Sequence, residues 1–166
     1  MPSLVLVVCG APLTRRLDDV HQTLTRRGWT IQVVGTPASL AWLDDGLIKA
    51  LEIRTAFRDP AAGRRAPTPD AMVVRPATFN TVNKVALGLA DNYALGLLCE
   101  AVGSGVPTVV VPMVNQKLWS HRHPAHSCGP HQRVAASASP MAPSLAPPSS
   151  ITGTCWPPRA WSPSRG

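Results

Sequence analysis

Two short apolar runs, residues 71–75 and 107–111, each stop in a small, polar, proline-marked loop. The first ends in Pro76-Ala77-Thr78-Phe79-Asn80-Thr81 and the second in Pro112-Met113-Val114-Asn115. Between them lie two patterns of helical spacing. Runs of four to eight apolar residues bounded by turn signals, with helices between them, predict parallel strands joined by helical crossovers. In an open parallel sheet, ligands bind just beyond the carboxyl ends of the strands. Both loops are therefore expected to open onto one crevice.

The N-terminal part repeats this grammar. Residues 4–8 form a continuous apolar run, the mark of a strand covered on both faces. Gly10-Ala11-Pro12 follows as a turn without bulky side chains. Leu13, Leu17, Val20 and Leu24 then recur at helical spacing. Thr14 is the expected N-cap of that helix and Gly28 its C-cap. Residues 31–34 predict a second strand, ended by Gly35-Thr36-Pro37. Leu40, Leu43 and Leu47 suggest a further helix, and residues 48–56 a third strand. Residues 58–69, rich in Pro, Gly, Arg and Ala, read as a surface loop.

Charge and composition narrow the function. The formal net charge is +7, which invites a nucleic-acid reading. Residues 1–120 carry 12 Lys and Arg against 9 Asp and Glu, whereas residues 121–166 carry four Arg and no acid. The basicity thus comes largely from an acid-free tail. No basic helix face interleaved with aromatics stands behind it, so nucleic acid is not the expected partner. No apolar run approaches the ~20 residues that span a bilayer. The N-terminal run lacks the basic flank of a signal peptide. It reads as a strand, and the protein as cytoplasmic. Cys9, Cys99, Cys128 and Cys155 form no CxxC pair, which fits reduced thiols.

Beyond about residue 120 the pattern changes. Nine of the 18 prolines fall in residues 121–166, and apolar periodicity is lost. Such a segment cannot offset an ordering entropy of ~1–2 kcal/mol per residue, so disorder is expected. Its Ala, Pro, Ser, Arg and His without Asp, Glu or Lys match a GC-rich gene read out of frame. The tail is therefore expected not to be the original end of the domain. His121, His123, His126, Cys128 and His131 match no metal-finger spacing. Trp156 and Trp161 read as chance composition. The domain boundaries are thus 1–120 for the folded domain and 121–166 for the tail.

The PATFNT and PMVN loops, joined by Gly88-Leu89-Ala90-Asp91-Asn92, carry a resemblance. They look like the flavin-containing cysteine decarboxylase family, which includes phosphopantothenoylcysteine decarboxylases and peptidyl-cysteine decarboxylases. The family's loops read roughly Pro-Ala-Ser-Ala-Asn-Thr and Pro-x-Met-Asn. The similarity covers about residues 3–120 and is strongest over 71–119. It implies an α/β three-layer sandwich with a mostly parallel, Rossmann- or flavodoxin-like sheet, incomplete here at its C-terminal side. It implies FMN as cofactor, a small thiol- or carboxylate-bearing substrate, and a trimer-based homo-oligomer.

The physical reading of the loops agrees with FMN. A phosphate needs backbone N–H groups at a helix N-terminus together with hydroxyls. Thr78, Asn80 and Thr81, with Ala77 before them, stand where a strand becomes a helix. Gly10, Ala11 and Thr36 face the same sheet edge, where small residues allow close approach. Each also has a plainer reading. Gly10-Ala11-Pro12 and Thr36-Pro37 are ordinary turns, Thr78, Asn80 and Thr81 an N-cap cluster, and Asp91 and Asn92 caps of the next helix. The resemblance gives Asn115 the substrate carboxylate, although Pro112-Met113-Val114-Asn115 departs from the family's order. The decarboxylases also carry an essential histidine between the second strand and the first loop. Here no histidine lies between His21 and His121. FMN binding does not depend on that histidine, whereas cysteine decarboxylation does. The alternatives are a non-catalytic flavin or nucleotide carrier and a non-functional truncated product.

Overall fold

The computed structural model describes residues 1–56 and 67–119. Four parallel strands form one sheet: β1 (Ser3–Val8), β2 (Thr30–Gly35), β3 (Ala71–Ala77) and β4 (Thr108–Pro112), in the order β2-β1-β3-β4. The strands expected at 4–8, 31–34, 71–75 and 107–111 are present, each with a residue or two added or lost at its ends. Among the described residues, five α-helices accompany them: α1 (Leu17–Arg26), α2 (Asp45–Ala50), α3 (Phe79–Ala86), α4 (Tyr93–Gly103) and the short α5 (Gln116–Trp119).

Side chains alternate across a strand, so a strand that is apolar throughout feeds two cores. Val5 and Val7 of β1, with Cys9 just after it, join Val34, Met72 and Val74 under α3 and α4, with Ala94, Leu98 and Ala101 as the helical contribution. Leu4, Leu6 and Val8 face the opposite side, against Leu17, Val20 and Leu24 of α1 and Leu47 of α2. The result is the expected α/β three-layer sandwich with a flavodoxin-like sheet. Burial of Leu6, Val7 and Val8 is complete. At ~1.5–3 kcal/mol for each fully buried apolar side chain, β1 is the strand that most stabilises both layers.

Three expectations are corrected. The first helix does not begin at Leu13: Pro12–Arg16 form a 3-10 turn before α1. Thr14 is buried and donates its hydroxyl to the Cys9 carbonyl at 2.5 Å, so it caps nothing. Gly28 does close the helix, at φ +84°. The helix suggested by Leu40, Leu43 and Leu47 is broken into a 3-10 turn (Pro37–Trp42) and α2. Asp44 causes the restart by accepting the Leu47 N–H at 2.8 Å. The third strand at 48–56 is absent: α2 occupies its start, and only Arg54 bridges to Val34.

Residues 58–66 of the expected loop, the tail at 121–166 with its histidine run, Trp156 and Trp161, and the expected incompleteness of the sheet beyond β4 lie outside the described residues. Among the described residues, no helix is long and apolar enough to cross a membrane.

Candidate functional site

Because the sheet is parallel, every strand delivers its carboxyl end to the same edge. A cleft of about 710 Å³ opens there. It is lined by Gly10 after β1, Thr36, Pro37 and Ala38 after β2, Thr78 to Thr81 after β3, and Met113, Val114 and Asn115 after β4. Lys84, Asn92, Leu95 and Leu118 complete it from the helices. The two loops therefore meet, and the Met113 N–H donates to the Ala77 carbonyl at 2.8 Å to tie them together.

Of the residues singled out from sequence, Gly10, Thr36, Thr78, Asn80, Thr81 and Asn115 share this cleft. Three do not line it. Ala11 and Ala77 are buried beneath the lining, at 5% and 0% exposure. Asp91 stands outside it, paired with Lys84. Ala38, Lys84, Leu95 and Leu118, outside the loops read from sequence, were not anticipated. Lys84 was detectable in principle, because it follows Asn80 by four residues and Thr81 by three on one helix face.

The cleft is built to receive negative charge. Helix α3 starts at it, and the first N–H groups of a helix have no intrahelical acceptors. Thr78 caps this helix, accepting the Thr81 N–H at 3.4 Å. Asn92 caps α4 by accepting the Leu95 N–H at 3.1 Å, so α4 also begins at the cleft. Asn115 accepts the Leu118 N–H at 2.8 Å through Oδ1. That bond aims the acceptor back into the chain and leaves the amide nitrogen as Asn115's donor. The Lys84 ammonium adds a positive charge held by Asp91.

Thr36 supplies the observation that most favours a ligand. Its N–H donates to the Val8 carbonyl, and its carbonyl accepts from the Ser39 N–H and hydroxyl. Its own hydroxyl oxygen is buried and has no hydrogen-bond partner. Leaving such a group unpaired costs about 1–3 kcal/mol. An anion in the cleft would remove that penalty.

Cys9 lies beneath the cleft, 1% exposed, with its sulfur 3.2 Å from the Thr81 hydroxyl. Burial pushes its thiol above the ordinary range, against the opposing effect of hydrogen bonds from Thr81 and the Thr78 backbone. Cys99, half-buried on α4, is also pushed up by burial. His21, the sole histidine among the described residues, sits on α1 and does not line the cleft. Among the described residues, no cluster of three His, Cys, Asp or Glu could hold a metal.

A parallel flavodoxin-like sheet with an anion-receptive cleft at its carboxyl edge defines the class. The chain belongs to the Flavoprotein family, whose match covers residues 1–129. Among solved structures it resembles the FMN-dependent cysteine decarboxylase SpaF, with a TM-score of 0.61 and 23% identity over 73% of each chain. TvaF, an FMN-dependent cysteine decarboxylase from thioviridamide biosynthesis, gives a TM-score of 0.62 at 22% identity, over 72% of this chain and 78% of its own. The peptidyl-cysteine decarboxylase EpiD gives 0.56 at 18% identity, over 73% of this chain and 76% of its own. At these identities the likeness is one of fold. A local match of 44 residues, 48% identical, links the chain to a dihydromethanopterin reductase (acceptor) of Methanosarcina mazei. It spans 26% of this chain and 18% of that reductase.

Proposed function

We propose that the cleft binds FMN through its phosphate and that the protein is an FMN-dependent flavoprotein of the cysteine-decarboxylase-like type. The carrying observation is the unpaired, buried Thr36 hydroxyl beside the N-terminus of α3. The residues present fit the group. Thr36, Thr78, Asn80 and Thr81 supply hydroxyl and amide donors, and the first turn of α3 supplies backbone N–H groups. Gly10 keeps the wall free of a side chain. The FMN-dependent neighbours of the same fold support the choice of flavin.

When bound, FMN supplies two-electron oxidation of a thiol-bearing substrate, whose oxidised form can then lose carbon dioxide. The chain's part is binding and orientation. Asn115, through its amide nitrogen, donates to a substrate carboxylate without adding charge. Lys84 adds attraction for the same anionic substrate. The same reading implies a trimer-based homo-oligomer working in the cytoplasm, which light scattering and cell fractionation check.

A second reading, a flavin carrier without decarboxylation, is favoured by one observation. No histidine among the described residues reaches the cleft. Titration of the purified protein with FMN tests the shared part, since quenching of flavin fluorescence reports binding. Carbon dioxide release from a peptide ending in cysteine separates the two readings. No quenching at micromolar protein overturns both.

A further inference from the structure

Strands of a parallel sheet are apolar on both sides, so helices ordinarily cover both faces. One face meets that condition across the sheet: Val34 of β2, Val7 of β1, Val74 of β3 and Val110 of β4 all join the core under α3 and α4. The other face is covered in part. Its core, beneath α1 and α2, is built on β1 and β2. Ala71 and Val73 of β3 reach that core as partly buried neighbours, and no residue of β4 belongs to it.

Side chains alternate along a strand, so Val109 and Val111 of β4 point to this second face, on the opposite side from Val110. Val109 stands opposite Val73 in the β3–β4 register and is 37% exposed. Val111 is half-buried, and neither valine belongs to a core cluster. Arg75 follows Val73 on the same face, two residues further along β3. It is half-buried in an otherwise apolar strand. Among the described residues it has no ion-pair or hydrogen-bond partner. A guanidinium is always charged, and its planar fork matches a carboxylate with two parallel hydrogen bonds.

The chain is poorly suited to supply that carboxylate. Residues 121–166 contain no Asp or Glu. A formal net charge of +7 makes an acidic polypeptide a better-matched occupant than a second, equally basic copy. We propose that the β3–β4 face docks an amphipathic helix of a separate acidic protein, whose apolar stripe covers Val73, Val109 and Val111 and whose central Asp or Glu pairs with Arg75. A helix is the element that ordinarily packs on a sheet face. None of these four residues lines the cleft, so the inference is independent of the FMN reading.

The test uses the full chain and two labelled, hydrocarbon-stapled helices of about 18 residues, or five turns. Each has a leucine stripe on one face and neutral polar residues elsewhere. One carries Glu at the centre of the stripe, and its twin carries Gln. Fluorescence anisotropy is expected to show the Glu helix binding about tenfold more tightly, the effect of one hydrogen-bonded charge pair. Arg75→Gln is expected to abolish that preference, and Val109→Ser to weaken both helices together. Equal affinity of the two helices for wild-type protein overturns the inference, as does a preference that survives in Arg75→Gln. Displacement of the Glu helix by FMN would put it in the cleft and overturn the inference too. Should Arg75→Gln fail to fold, Val109→Ser, at an exposed position, still decides, because unchanged binding of the Glu helix refutes the docking face. Light scattering in which Val109→Ser converts an oligomer to monomers would assign the face to a second copy and overturn the separate partner.

Discussion

The Gly10 backbone runs so close to Ala38 that a β-carbon on residue 10 would lie 2.6 Å from the Ala38 carbonyl oxygen. The turn after β1 is pressed against the turn after β2, and together they form one wall of the cleft. The neighbour in question is backbone, which cannot swing aside as a side chain can. Gly10→Ala is therefore expected to cost about 1–3 kcal/mol, the usual range for overpacking. It should also prise the two turns apart and weaken FMN binding. Thermal denaturation and flavin titration check both effects, and a variant with wild-type melting and binding would show that the turns are not constrained.

Thr36 gives a prediction of opposite sign for stability. Its hydroxyl is buried and without a hydrogen-bond partner, so replacing it with a methyl removes a penalty. Thr36→Val should leave the ligand-free protein as stable as wild type or about 1 kcal/mol more stable. FMN affinity should fall, because the hydroxyl that the phosphate would satisfy is gone. Denaturant melts without flavin, set beside a binding curve, distinguish this from a simple packing defect, which would lower both.

The sheet was legible because β-branched, uninterrupted apolar runs admit few other folds at this length. Val5, Val7, Leu4 and Leu6 all stand in one run, and only a strand covered on both faces uses them all. What failed was decided by single hydrogen bonds that no periodicity records. Thr14 looks like an N-cap until its hydroxyl is seen to bond the Cys9 carbonyl. Residues 48–56 have strand-like composition, yet the Asp44 cap winds their beginning into a helix. At the site, loop position revealed Thr36, Thr78 and Asn115, because parallel strands carry their loops to one edge. Sequence could not show that the Thr36 hydroxyl is unpaired. Nor could it show that Asp91 is drawn away from the cleft by Lys84, seven residues earlier.

That ion pair makes its own prediction. Lys84 is one-third exposed and Asp91 more than half, so solvent screens their attraction and stability should hardly depend on it. Asp91→Asn is expected to change stability by less than about 0.5 kcal/mol. It should, however, leave the Lys84 charge uncompensated beside the cleft. Affinity for an anionic ligand should then rise about two- to threefold at low salt, with the gain fading as ionic strength increases. Titration with FMN at two salt concentrations is the check, and a loss of affinity would mean that Asp91 itself contacts the ligand.

At the far end of the sheet, Ser3 and Asp70 form a reciprocal clasp between β1 and the start of β3. The Ser3 N–H and hydroxyl donate to the Asp70 carboxylate at 2.7 and 2.9 Å, and the Asp70 N–H donates to the Ser3 carbonyl at 3.0 Å. The Ser3 backbone donor, then its hydroxyl, hold the Asp70 carboxyl below its ordinary value of 3.8. The folded chain therefore binds this proton less tightly than the unfolded chain does. By linkage, the stabilisation is fully present above that ordinary value and is lost as pH falls through the depressed folded value. Asp70→Ala should melt below wild type near neutral pH, and the two melting temperatures should converge once acid protonates the wild-type carboxyl. Melting curves from about pH 6 to about pH 2 span both protonation states. A gap that stays constant across that range would show that the carboxylate's charge has no part in joining the two strands.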